Sequence, residues 1–337
     1  MTKTDYIAED IDESTFTTMK RIINCLFSFL LSVPAFAQQP EFEGRLVYKT
    51  TVQSRNSNLP VGLLQRLLFA TDSVTVLVKN GNYRHYTALS DEYFIRKDEK
   101  VYVRFKGIDT LYYRDYADDT ATVQFARKMS ESRSIAGYDC SAFTIATAND
   151  TIRYLYSTRL YANPENTKKL LLGQMNIFGE QTASLWLERE RKTANYILTY
   201  SCFRVQGEKL DDKQFALPAL PVAKLSNSSV FKAPVFSGRG TWGNYLQKNM
   251  DTKVVTTFLK IKKKEKSAEQ MVKVSFTVLK NGEIANVQVI NEEKIHPALM
   301  DEAIRLVKAS KWQPAELVGE KLDFPLVQPI TFRVEAE

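Results

Sequence analysis

Histidine and cysteine are scarce in this sequence, with two and three residues respectively out of 337. His85 and His296 lie far apart in the chain, and neither has a carboxylate or cysteine at metal-ligand spacing, so both read as structural and no metal site is predicted. Cys25 falls in an apolar stretch near the N-terminus, which leaves Cys140 and Cys202. Neither has a second ligand residue beside it, so the readings are a disulfide or two buried free thiols rather than a reactive pair. The patterns G-x-S-x-G, H-E-x-x-H, C-x-x-C, G-x-G-x-x-G and the P-loop are all missing, and with them the usual signals for acyl transfer, zinc hydrolysis, dithiol redox chemistry and nucleotide phosphate binding. The expectation is a non-enzymatic protein with no catalytic residue and no cofactor. A long hydrophobic run is missing too: IINCLFSFLLSVPAFA, residues 22–37, is too short to span a bilayer comfortably.

That short apolar run follows Met19-Lys20-Arg21 and ends in Ala35-Phe36-Ala37, the charged start, apolar core and small-residue site of a secretory signal peptide. Translation is expected to begin at Met19, because the acidic leader ahead of it is foreign to a signal peptide, and the mature chain is expected to begin at Gln38. Ile22-Ile23-Asn24 makes a poor lipobox for Cys25, which favours a released product over a lipid-anchored one. Removing residues 1–37 takes away Lys3, Lys20, Arg21 and five acids, leaving 43 basic against 34 acidic residues, a net charge of +9. For an exported chain this modest basicity reads as a solvated surface and not as a nucleic-acid site. With 44% hydrophobic and 25% charged residues the chain is ordinary globular material, long enough for two domains.

From Phe42 to about Phe215 the sequence reads as strand after strand, among them RLVYKTTV, SVTVLV, KVYVRF, IRYLYST, ASLWLERE and YILTYSCFRV. Each is short, rich in β-branched and aromatic residues, and bounded by turn material. Regular spacing predicts one antiparallel β domain over 38–216, with Gln65 to Ala70 and Asn166 to Leu172 as short helices lying across it. Tyr83, Tyr86, Tyr93, Tyr102, Tyr112, Tyr113 and Tyr116 crowd this region; tyrosine suits half-buried sheet faces, so they read as structure before ligand. Residues 217–240, LPALPVAKLSNSSVFKAPVFSGRG, exchange the strand rhythm for Pro, Ser, Asn and Gly and are expected to be a linker.

Beyond it, Val272, Val274, Phe276 and Val278 alternate with polar residues, Asn281-Gly282 has the residues of a type I′ turn, and the implied register sets Val278 against Ala285, Phe276 against Val287 and Val274 against Val289. His296-Pro297 then starts a helix whose apolar side is Leu299, Met300, Ala303, Ile304, Leu306 and Val307. Pro314 is expected to stop it just after Trp312. A last strand runs from Leu326 to Val334. The stretch Thr256 to Ile261 reads equally as strand or helix.

The pattern F-x-V-x-x-x-G-x-I at Phe276 to Ile284, Leu299 with Asp301, Glu302 and Ala303, Lys311-Trp312-x-Pro314 and Pro329-Ile330-x-Phe332 together resemble the C-terminal domain of the TonB family, over roughly 241–337. The Tyr-Pro pair usual ahead of the first helix in that family is replaced by Tyr245-Leu246. The β domain resembles the secreted GLPGLI-type domains of Bacteroidetes envelopes through Ser134 to Cys140 and Asp212 to Pro218, with Gly173-Gln174-Met175-Asn176-Ile177 standing where the namesake motif would be. The two resemblances imply an α+β chain. Its N-terminal, mainly antiparallel β domain would be a half-barrel like periplasmic lipoprotein carriers, followed by a small antiparallel sheet with a packed helix. They also imply a periplasmic protein that binds an outer-membrane transporter or another envelope protein, or alternatively carries a lipid or other hydrophobic ligand. The linker is too short for a chain that reaches across a periplasm, so the resemblance carries over a binding module rather than an energy-transducing motor.

Pro329 cannot donate a ladder bond, which places the final strand at a sheet edge. Ile330, Thr331, Phe332, Arg333 and Val334 are therefore the candidate partner-binding residues, by strand addition. Lys260 to Lys266, KIKKKEK, is the strongest charge run. It reads as a lysine-protected tip or edge before it reads as a contact for envelope phosphates.

Overall fold

A computed structural model describes residues 39–119, 121–226, 230–262 and 265–336. The expected signal segment Met19 to Ala37 and the cleavage point before Gln38 lie outside the described residues, as do Lys263 and Lys264. Among the described residues no helix is long and apolar enough to cross a membrane.

Twelve strands form one large open sheet. In chain order they are β1 (Gly44–Ser54), β2 (Ser73–Lys79), β3 (Asn82–Tyr86), β4 (Ser90–Ile95), β5 (Lys100–Phe105), β6 (Leu111–Asp115), β7 (Val123–Ile135), β8 (Tyr138–Thr147), β9 (Asp150–Tyr161), β10 (Ser184–Thr193), β11 (Tyr196–Gly207) and β12 (Val222–Lys224). Their spatial order is β12-β6-β5-β4-β3-β2-β1-β11-β10-β9-β8-β7. Two antiparallel meanders, β1 to β6 and β7 to β11, are therefore joined where β1 pairs with β11, Tyr48 opposite Cys202. The edge strand β7 is exposed along nearly its whole length and carries Arg127, Lys128, Glu131 and Arg133, charges that blunt an edge against strand pairing. At the other end β12 runs parallel to β6.

Alternation along the strands buries one row from each meander in a shared core of Leu46, Tyr48, Val74, Val76, Val78, Ala142, Leu155 and Leu187. Both cysteines belong to it. They are free and buried, so of the two readings left open by the sequence the structure shows unbridged thiols. Three of the tyrosines, Tyr93, Tyr102 and Tyr116, are buried in neighbouring apolar clusters.

The helices lying across the sheet are α1 (Val61–Leu67) and α2 (Met175–Thr182). The first lies a few residues before its expected position. The second replaces the helix expected at Asn166 to Leu172, where the chain makes only isolated 3-10 turns, at Pro164–Asn166 and Leu172–Gln174. Phe178 of α2 stacks on Tyr154, with ring centroids 4.3 Å apart.

The stretch read as a linker holds β12 and two more short strands, β13 (Phe231–Lys232) and β14 (Val235–Phe236). These pair with β18 (Ala315–Leu317), which also pairs with β19 (Glu320–Leu322), and with β17 (Trp312–Gln313) of the C-terminal region. Leu63, Leu67 and Phe69, around α1, pack on Ala315, Leu317 and Leu322, so Glu41–Glu337 clusters as one unit.

In the C-terminal region β15 (Ser267–Val278) lies between β16 (Ile284–Val289) and β20 (Phe324–Glu335), the expected order. The hairpin differs in its turn. Only Gly282 takes positive φ, at 87°, and its N–H closes a turn on the Leu279 carbonyl at 2.8 Å, so the loop is not the two-residue type I′ form. Val278 consequently faces Ile284 instead of Ala285. A bulge at Asn286, φ 52°, absorbs the extra residue and restores Val274 opposite Val289.

Three helices cover the sheet: α3 (Trp242–Asn249), α4 (Thr252–Phe258) and α5 (Pro297–Lys308). Asp251 caps α4, accepting from the Lys253 N–H at 2.9 Å, which settles Thr256 and its neighbours as helix up to Phe258. Helix α5 starts as expected, capped by His296 Nδ1, but stops at Lys308. The expected stop after Trp312 is corrected because Trp312 pairs in β17 opposite Phe236 and donates its indole N–H to Ser310 at 2.8 Å.

Candidate functional site

The sequence-derived binding residues all lie on β20, whose only sheet neighbour among the described residues is β15. Ile330 and Phe332 are fully buried against α4 and α5, while Thr331 and Arg333 are exposed and Val334 is half-buried. Which main-chain groups face outward follows from antiparallel alternation. Lys273 uses its N–H on Asn291 and its C=O on Ile290, both on the β16 side. The even-numbered residues of β15, Gln270, Val272, Val274 and Phe276, therefore bond to β20, through Phe332, Ile330, Gln328 and Leu326. Thr331 and Arg333, opposite Met271 and Glu269, then turn their N–H and C=O groups away from the sheet. Pro325 and Pro329 share that outward parity and present no donor. The open stretch of the edge is thus the half from Ile330 to Val334.

The edge is held on a rigid base. Glu302, on the covered side of α5 and only 5% exposed, accepts the Asp251 N–H at 2.7 Å and two N–H groups of Arg305 at 2.7 and 2.8 Å. Arg305 also donates to the Asn249 carbonyl at 2.6 Å. One buried carboxylate thereby ties the α3–α4 junction to α5. Aromatic contacts among Phe236, Trp242, Tyr245, Phe276 and Trp312 close the other side.

A second feature bears on the hydrophobic-ligand alternative, though the sequence singled out none of its lining residues. The large sheet bends so that strands from both meanders line one cavity of about 610 Å³, closed over by Leu68, Phe69, Leu170, Gly173, Met175 and Phe178. Register sets two inward rows on its wall. Val76, His85 and Glu92 stand opposite one another across β2, β3 and β4, and Tyr200, Arg189 and Tyr154 do so across β11, β10 and β9. Burial, aided by the Arg189 charge, pushes the His85 imidazole down to about 4, so it stays neutral. Burial also raises the Glu92 carboxyl above its ordinary value, with Arg114 and Arg189 pulling the other way. Arg189 lies 6.0 Å from the centre of the Tyr154 ring, and the Tyr154 hydroxyl donates to the Gly173 carbonyl at 2.9 Å. Gly173, at φ +64°, leaves free the space that Arg189 uses: a Cβ there would lie 3.0 Å from its Nη2.

The two thiols lie in the core beside this cavity. Burial pushes Cys202 up to about 11 and raises Cys140 as well, which is the environment of an inert thiol. Among the described residues no group of three His, Cys, Asp or Glu is placed to hold a metal ion.

Residues 262–334 match the family model for the Gram-negative bacterial TonB protein C-terminal. No curated protein matches the chain. Among solved structures, PNGF-II in two crystal forms aligns at 12% and 11% identity with TM-scores of 0.34 and 0.33. The alignments cover 72% and 87% of this chain and 44% and 66% of those chains, less than two thirds of their length in both cases.

Proposed function

We propose that this is a non-enzymatic envelope protein whose TonB-like C-terminal region, residues 241–337, captures an extended segment of an outer-membrane transporter or another envelope protein by adding it as a strand beside β20. A TonB-like domain points to the bacterial periplasm, and export by the Met19 to Ala37 signal belongs to this reading. The observation that carries it is the free edge from Ile330 to Val334, where Thr331 and Arg333 turn unpaired main-chain groups outward above a core that fixes Ile330 and Phe332. Main-chain bonds supply affinity in such a complex and alternate side chains supply selectivity.

Thr331→Pro tests it. The substitution removes an outward donor without touching a bond to β15, so the fold is expected to survive. Losing one main-chain bond worth ~1 kcal/mol, with the added clash of the ring, is expected to weaken partner capture about tenfold or more. A photo-crosslinking residue at 331 in cells identifies the partner, and the affinity is then measured with the purified pair. A folded Thr331→Pro variant that binds at wild-type affinity removes the edge as the binding site.

A further inference from the structure

The cavity beneath the bent sheet plays no part in strand addition, and its wall mixes two chemistries. Leu46, Val74, Val76, Val78, Phe94 and Leu198 supply apolar side chains, while Glu92, Arg114 and Arg189 also line it. We infer that it binds a single-chain anionic amphiphile, with the acyl chain against the apolar side chains and a carboxylate or phosphate headgroup at Arg189 and Arg114.

Size and an excess of positive charge carry the assignment. At ~30 Å³ for each water-sized group, 610 Å³ holds about twenty heavy atoms, one acyl chain with its headgroup rather than a two-chain lipid. The Nε atoms of Arg189 and Arg114 are buried without a hydrogen-bond partner, and among the described residues neither guanidinium forms an ion pair. A buried donor left unpaired costs free energy that a bound anion removes. The other charges on the wall are engaged. Asp150 pairs with Arg191 at 2.6 Å, Asp118 with Lys224 at 3.4 Å, and Asp119 accepts the Gly173 N–H at 3.1 Å. Glu92, whose carboxyl is raised by burial and drawn back down by Arg114 and Arg189, is a single acid facing two arginines. Gly173, Met175 and Phe178, from the segment that crosses the sheet, bring a backbone turn and apolar side chains over the same space.

The test uses the purified full chain, stripped of lipid, with the fluorescent cis-parinaric acid as probe. Saturable binding is expected near one per chain, with palmitate displacing the probe and hexadecanol, the same chain without charge, about tenfold weaker or worse. Arg189→Gln is expected to weaken palmitate about tenfold and leave hexadecanol unchanged, while Arg189→Lys retains most of the palmitate affinity. A lysophosphatidate titration tells the headgroup sources apart: tighter binding than palmitate assigns a phosphate, weaker binding a free fatty acid. Equal competition by palmitate and hexadecanol, palmitate affinity unchanged in Arg189→Gln, or no saturable probe binding overturns the inference. If Arg189→Gln fails to fold, the palmitate and hexadecanol comparison on the wild type decides, together with Arg114→Gln.

Discussion

Replacing Glu302 with alanine removes the acceptor that joins α5 to the α3–α4 junction. Its bond to the Asp251 N–H, 2.7 Å long, is charge-assisted and buried, and its loss costs about 1.5–3 kcal/mol because the donor is left unpaired. The Arg305 partner is 52% exposed and regains water when freed, so that pair contributes only about 1 kcal/mol after solvent screening. The total is about 2.5–4 kcal/mol. Glu302→Gln keeps an oxygen for the Asp251 N–H and loses mainly the ion pair, so about 1 kcal/mol is expected. Urea denaturation followed by tryptophan fluorescence reads this region, because Trp242 and Trp312 both belong to its core. The reasoning fails if Glu302→Ala lies within about 0.5 kcal/mol of wild type, the scatter of an ordinary surface substitution. It fails equally if the glutamine and alanine variants are the same, since the carboxylate oxygen at the α4 cap would then do nothing.

Two further outcomes follow from the β domain. His85 is expected to titrate near pH 4 by NMR. The unfolded chain takes up its proton near 6.5, so His85 contributes a loss of stability as pH falls from about 6.5 toward 4, none above that window, and His85→Phe flattens the slope there; a midpoint near 6.5 in the folded protein removes the enclosed wall from the account. Both thiols are expected to resist an aromatic disulfide reagent at pH 8 in the native protein and to react at once in denaturant. Rapid native labelling of Cys202 contradicts a thiol held near 11.

The C-terminal region was the more legible part because its strands alternate cleanly. Val272 to Val278 has apolar residues on one phase only, and that phase is fully buried. What the alternation could not reveal was the tip: Asn281-Gly282 is compatible with two turn families, and the choice depended on the bulge at Asn286, which has no sequence mark of its own. The α5 boundary was misplaced for a tertiary reason, since Trp312 leaves the helix to pair with Phe236 from a distant segment. In the β domain the obstacle was different. The run Glu188-Arg189-Glu190-Arg191 is charged on both phases, so period two cannot say which side is inward. Glu188 is 4% exposed and paired with Arg153 at 3.4 Å, while Arg189 lines the cavity. Nor did the tyrosine crowding mark the site: Tyr83 stands on the cavity wall, yet Tyr93 and Tyr102 pack elsewhere.

Pro325 and Pro329 also bear on how the chain treats copies of itself. Two molecules that met edge to edge along β20 would each bring two missing donors, and each proline ring would stand where the other strand needs to approach. A long homotypic ladder, the first step of aggregation by strand pairing, is therefore interrupted from within. A short, proline-free peptide entering beside Thr331 and Arg333 meets neither interruption. The same outward prolines confine any strand added to β20 to the half from Ile330 to Val334.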